Sequence, residues 1–295
     1  MECGRYHDEC VALDAKGGRL FIANLSNNSL DVVDLKAGKL VKQIPDQQKI
    51  QGVAYVPDID RIFVGNGKDG VGNVFDGKSY KLLRSIKLED ADNVRYDSSS
   101  GRIIVGYGNG ALSFVDPKAH NIIGSVKLVG HPESFQVEKS RPRIYVNVPS
   151  ADHIAVVDRS KQTVITTWFM DQFRSNFPMA LDEPHHRVLV GTRNPAKLVV
   201  FDTESGKQIT ALNISGDTDD VFLDPENKRV YVSAGDGYVD VFSQTDADHY
   251  QPIAKIGTAP GARTSFYVPE LHRLFVAVPH RGAQEPAILI YDVMK

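Results

Sequence analysis

Four short segments pair two ligand-type side chains one residue apart: His7 with Glu9, Asp90 with Asp92, His131 with Glu133, and Asp217 with Asp219. In an extended chain, residues i and i+2 point to the same side. Each pair then offers two donor groups to one point. Carboxylates and imidazoles that converge from several segments hold a divalent cation such as Ca, Mg, Mn or Zn. Without a cation, carboxylates placed so close raise one another's pKa values. The expected metal set is His7, Glu9, Asp92, His131, Glu133 and Asp219. The two Glu residues are the more telling members, because Asp also serves as a turn former.

Other residues fit around such a centre. Arg193, Arg263 and Arg281 are expected to bind the anionic part of a substrate through paired hydrogen bonds. Phe177 interrupts the polar series and offers either a wall for a ligand or a plug. His280, with His131 and Glu133, forms the expected catalytic set, one of them acting as general base. A bound cation would polarise the substrate and activate water. That chemistry is metal-dependent hydrolysis of an ester, lactone or phosphoester. The same residues also suit a non-catalytic module that binds a peptide, a metabolite or a single-stranded nucleic acid. The two readings use the same rim. Ser134, beside Glu133 and near His131, is a further arrangement that a serine nucleophile would want.

The elements that must position these residues come from a repeat. Seven times, an Arg is followed by three residues that are aliphatic or aromatic, beginning at Arg19, Arg61, Arg102, Arg143, Arg187, Arg229 and Arg273. The gaps between them are 42, 41, 41, 44, 42 and 44 residues. Such a period marks one supersecondary unit repeated along the chain. Each unit reads as four short β-branched and aromatic runs bounded by Gly, Pro, Asp and Asn, with no sustained helical period. The expected fold is therefore all-β: a seven-bladed β-propeller of four-stranded antiparallel blades. It is expected to form a single domain over 1–295, with blades starting near residues 10, 52, 93, 134, 178, 220 and 264. The seventh unit runs out after three strands, so the last blade is expected to be three-stranded or closed weakly by a short N-terminal strand within Met1–Tyr6.

The repeat also serves as a ruler. Ten residues before each Arg stand Glu9, Gln51, Asp92, Glu133, Phe177, Asp219 and Arg263; twelve before stand His7, Lys49, Asp90, His131, Ser175, Asp217 and Gly261. In a propeller these positions lead into the first strand of each blade, at the mouth of the central channel. The hairpin between the second and third strands reaches the same end and brings Arg193, His280 and Arg281. A small molecule bound at that mouth is the expected ligand.

Composition narrows the classes. Net charge is −3 over 295 residues, which does not favour nucleic acid as a partner. No apolar run is long enough to span a bilayer, and the chain is expected to be monomeric. Cys3 and Cys10, the two cysteines, are expected as free thiols and lie in no haem-attachment pattern. One Trp does not supply the repeated docking motifs of a quinone site, and no Walker-type glycine loop exists for a nucleotide. The glycine pairs are hairpin turns.

The segments 90–97 (DADNVRYD), 130–136 (GHPESFQ), 176–183 (NFPMALDE), 216–220 (GDTDD) and 277–282 (AVPHRG) resemble the bacterial YncE-like proteins with YVTN-type propeller repeats. The resemblance runs over nearly the whole chain. It implies the seven-bladed fold and a binding role, and one branch of the family is similar to single-stranded DNA binders. Many members carry an export signal. The start of this sequence lacks the apolar core of such a signal. The expected location is periplasmic if a leader has been removed, and cytoplasmic otherwise.

Overall fold

The computed structural model describes residues 11–294. His7, Glu9, Cys3, Cys10 and the expected N-terminal strand lie outside the described residues. Seven antiparallel sheets follow one another, six of four strands and the last of three. They are the blades of an all-β, seven-bladed propeller. Among the described residues, helix is limited to short 3-10 turns such as Pro57–Ile59 and Pro149–Ala151. No helix among the described residues is long and apolar enough to cross a membrane.

Blade 1 shows the plan: Val11–Asp14, Arg19–Asn24, Ser29–Asp34 and Lys39–Ile44 pair in that order. In the four-stranded blades the second and third strands are largely buried on both faces, as in Ile62, Phe63 and Val64 of blade 2, whereas the third strand of blade 7 (Ala287–Asp292) is mostly exposed. This is why their sequences are continuous β-branched and aromatic runs rather than alternating ones. The fourth strands face solvent, and Leu40, Val41, Leu82 and Leu83 are exposed there. Within each compact part of the chain the apolar core is thus a series of layers between consecutive sheets. One layer joins Phe21, Leu30 and Val32 of blade 1 to Ile50, Ile62 and Phe75 of blade 2. Another joins Leu198 and Val200 of blade 5 to Val221, Val230 and Phe242 of blade 6.

The chain divides into two compact units, one ending at Pro132 and the other beginning at Glu133. Blades 1–3 belong to the first and blades 4–7 to the second. Within each unit the anchor arginines tie the blades together. Each opens a second strand opposite the end of the third, where an Asp usually stands: Arg19 faces Asp34, Arg61 faces Asp76 and Arg187 faces Asp202. Several reach the next blade as well. Arg19 binds Asp60 at 2.9 Å and the Gly77 carbonyl, Arg143 binds the Thr203 carbonyl, and Arg229 binds the Met294 carbonyl.

The Asp that ends a third strand also caps the following turn. Asp76 accepts the Ser79 N–H at 2.8 Å, Asp116 those of Lys118 and Ala119, and Asp158 those of Ser160 and Lys161. These backbone donors hold all three carboxyls below the usual carboxylate range. A carboxyl depressed in the folded state stabilises it fully above the unfolded pKa and loses that contribution as pH falls through the folded one. Stability should therefore hold down to about pH 4 and decline below it. Urea melts between pH 7 and pH 3 check this: a midpoint that does not fall below pH 4 would contradict the capping role.

Candidate functional site

In each four-stranded meander the second–third hairpin and the connection into the first strand lie at the same end of the sheet. Two clusters of the expected residues form at that end, one in each unit.

In the first unit, Asp90 and Asp92 precede the first strand of blade 3 (Val94–Asp97). Asp92 is buried and Asp90 is half exposed. The His131 ring lies between them and the hairpin of blade 3. Its Nδ1 is 2.6 Å from the Gly108 carbonyl and 4.0 Å from Asp90, and its Nε2 is 3.4 Å from Asp92 Oδ2. A carbonyl only accepts, so Nδ1 donates to Gly108, and Nε2 faces the Asp92 carboxylate. Lys49 Nζ stands 3.9 Å from Asp90 on the other side. Gly108 also borders an open cleft of about 900 Å3, lined by Glu89, Tyr107 and Lys127 among others.

In the second unit, Arg193 rises from the hairpin of blade 5, and Arg263 leads into the first strand of blade 7 (Thr264–Val268). Both close on the acid pair of blade 6. Arg193 Nη2 binds Asp219 Oδ1 at 2.5 Å, and its Nε donates to the Thr218 carbonyl. Arg263 Nη1 takes both oxygens of Asp217 at 2.6 Å, and its Nε lies 3.2 Å from Asp219 Oδ2. Asp219 is fully buried. The Arg193 guanidinium lies 3.9 Å over the centre of the Phe177 ring, a cation–π contact. So Phe177 is a platform for an arginine. Its backbone is fixed in turn: Asn147 Nδ2 donates to the Phe177 carbonyl at 2.9 Å, and Asn176 Nδ2 donates to Asn147 Oδ1. His153, whose carbonyl takes the other Asn176 hydrogen, is buried, and burial lowers the pKa of its ring.

The backbone departs from the extended form assumed for the pairs. Asp90 and Asp217 have φ of 49° and 58°, in the left-handed region. The two acids of a pair therefore meet through a shared basic side chain, His131 or Arg263, rather than by strand alternation. The remaining expected residues are spread out. Glu133 pairs its backbone N–H with the Asn147 carbonyl at 2.9 Å. Arg281 packs over Gly261, where an added Cβ would lie 2.3 Å from its guanidinium carbon. His280 is exposed in the same hairpin of blade 7, and Ser134 is buried. No group of three or more His, Cys, Asp and Glu placed to hold a metal occurs among the described residues. Two of the six expected ligands, His7 and Glu9, lie outside them.

The contacts made by Lys49, Gly108 and the Asn147–Asn176 pair were not anticipated. An Asn at the end of an otherwise apolar second strand was the available signal for the last. A backbone acceptor such as Gly108 leaves none.

No protein-family model matches the chain, and no curated protein matches it. Solved structures do. A chain of the hydrazine synthase of Kuenenia stuttgartiensis has a TM-score of 0.80 at 14% identity, with 98% of both chains covered. A chain of a mitotic checkpoint complex has a TM-score of 0.78 at 12% identity, covering 94% of this chain and 87% of that one. At these identities the likeness is one of fold.

Removing Asp219 would leave two largely buried guanidinium groups short of a carboxylate. Asp219→Asn should cost about 3 kcal/mol or more, because breaking a buried pair strands its partners. Asp217→Asn, at a more exposed position, should cost about 1 kcal/mol. Urea denaturation of both variants checks the order, and equal losses would refute the assignment of Asp219 as the inner counter-ion.

Proposed function

We propose that this chain is a non-catalytic binding propeller. Its ligand is held at the end of the blades that carries the second–third hairpins, and an anionic group of that ligand is read by Arg193 and Arg263. The observation that carries this reading is the arginine pair itself. Two guanidinium groups converge beside an aromatic ring, with Asp217 partly exposed as the outer counter-ion. A ligand carboxylate or phosphate exchanges for Asp217 at little electrostatic cost, because one anion replaces another. Phe177 sits beside the exchange point and suits a ligand with a flat apolar part.

Charge matching supports binding over metal-dependent hydrolysis of an ester, lactone or phosphoester. His131 has both ring nitrogens engaged, and Asp219 is engaged by two arginines. A general base or metal ligand at these residues would first have to give up those partners. The YncE-like resemblance of the segments around Asp90–Asp97 and Gly216–Asp220 points to a binding role too.

The test uses purified protein and phenyl phosphate. Wild type should show a saturable rise in melting temperature with the probe. The rise should survive chelation and be lost in Arg193→Met, with phenyl phosphate recovered intact. A stoichiometric metal retained through dialysis, together with chelator-sensitive release of phosphate, would overturn the binding reading in favour of a hydrolase.

A further inference from the structure

The opposite end of the sheets carries a second constructed site, between blades 5 and 6 in the second unit. A cleft of about 330 Å3 lies there. Leu181 and Pro184 of blade 5 and Leu223 and Pro225 of blade 6 give it apolar walls, and His185 and Lys228 bring polar atoms to it.

His185 follows Asp182 by three residues, in the turn after the first strand of blade 5 (Arg174–Asp182). Its Nδ1 lies 3.0 and 2.9 Å from the two Asp182 oxygens. Asp182 is only 7% exposed and is also fixed by Gln244 Nε2 at 2.5 Å. A carboxylate only accepts, so Nδ1 carries a proton. The remaining nitrogen, Nε2, is the one left for a ligand. A buried carboxylate behind an imidazole sets its tautomer.

The other charged group of the lining is already matched. The Asp246 carboxylate accepts the backbone N–H groups of Asp248 and His249 and faces the His249 ring, all at 2.8–3.0 Å. Lys228 Nζ has no hydrogen bond or ion pair among the described residues, and His185 Nε2 has none beyond the ring's bond to Asp182. A base with one nitrogen open and a cation therefore share an apolar-walled cleft.

We propose that this cleft binds a small apolar molecule with one acidic hydroxyl, a phenol in the simplest case. The hydroxyl gives its proton to His185 Nε2: the O–H bond breaks, an N–H bond forms, and the imidazolium is neutralised by Asp182. The oxyanion left behind pairs with Lys228, which keeps its own protons throughout. The ring of the ligand lies against the leucine and proline walls. The site is independent of Arg193 and Arg263 and does not rest on the reading of the other end.

The probe is 4-nitrophenol, whose phenolate is seen by its visible absorbance. At a pH where the free probe is mostly protonated, wild type should give a saturable rise in phenolate at one equivalent. His185→Gln should abolish the rise. Lys228→Met should weaken binding about tenfold, as for loss of a hydrogen bond to a charged group. His185 and Lys228 are surface residues, so both variants should fold, and melting temperatures check that. Nitrogen NMR of wild type gives an independent reading: the His185 Nε2 resonance should move from unprotonated to protonated on titration. The proposal is overturned by no saturable rise in wild type, by a rise that persists in His185→Gln, or by an Nε2 resonance that does not respond.

Discussion

The arginine that opens each second strand is the interaction on which the blades depend. It sits where a sheet ends and backbone carbonyls run out of strand partners. A buried carbonyl without a donor is costly, and a guanidinium brings five donors in a rigid fork. Arg19 shows the consequence. It binds Asp14 within its own blade, and Asp60, Tyr55 and the Gly77 carbonyl of blade 2. One side chain thus closes a turn and docks the next sheet. A lysine would supply a point charge and could not satisfy that geometry. The apolar residues that follow each Arg supply the area, and the Arg sets where along the sheet that area is buried.

At the opposite end the constraint is different, because no repeated residue governs it. The hairpins and connecting segments there vary in length and type, and their charges are balanced locally. Asp219 is compensated by Arg193 from one blade and Arg263 from another, and Asp92 faces His131. Glycines shape the space for these groups. A Cβ on Gly235 would lie 2.1 Å from the Asp217 carboxylate, so the absence of a side chain at 235 is what seats that acid. Gly261 does the same for Arg281, at a φ of 78° that few other residues tolerate.

The blades were legible because a covalent period of about 42 residues leaves few alternatives to a repeated meander. The residues of the candidate site were legible as departures from that period: Phe177 and Arg263 stand where other blades carry polar or acidic groups. Their partners were not. Arg193 and Asp219 are 26 positions apart, and Arg263 and Asp217 are 46 apart. Which of several charged groups meet across blades depends on hairpin geometry that local sequence does not encode. The left-handed backbone at Asp90 and Asp217 was hidden for a related reason. Asp tolerates that conformation without requiring it, so its presence does not announce the bend. His131 was visible as a donor, but its acceptor at Gly108 is a carbonyl that every residue possesses.

In blades 2, 3 and 6 the residue just before the anchor bears on where the preceding anchor goes. That position is left-handed in most blades, with φ of 49° at Asp60, 67° at Gly101 and 52° at Lys228. In blade 2 it is Asp60, and Arg19 crosses from blade 1 to meet it. In blade 3 it is Gly101, which offers no carboxylate. Arg61 turns back to Asp76 and the carbonyls of Ile59 and Asp60, and a cleft of about 320 Å3 remains between blades 2 and 3. In blade 6 it is Lys228, a like charge. Arg187 is drawn to Asp248 instead, at 2.6 Å. The cleft between blades 5 and 6 is thereby left to Lys228 and His185. Where the residue before the next anchor is an acid, as Asp60 is, the preceding anchor reaches it across the groove; where it is Gly101 or Lys228, a cleft is found. The same residue that holds the sheets together thus selects, through its neighbour in the next repeat, where this end of the protein has room for a ligand.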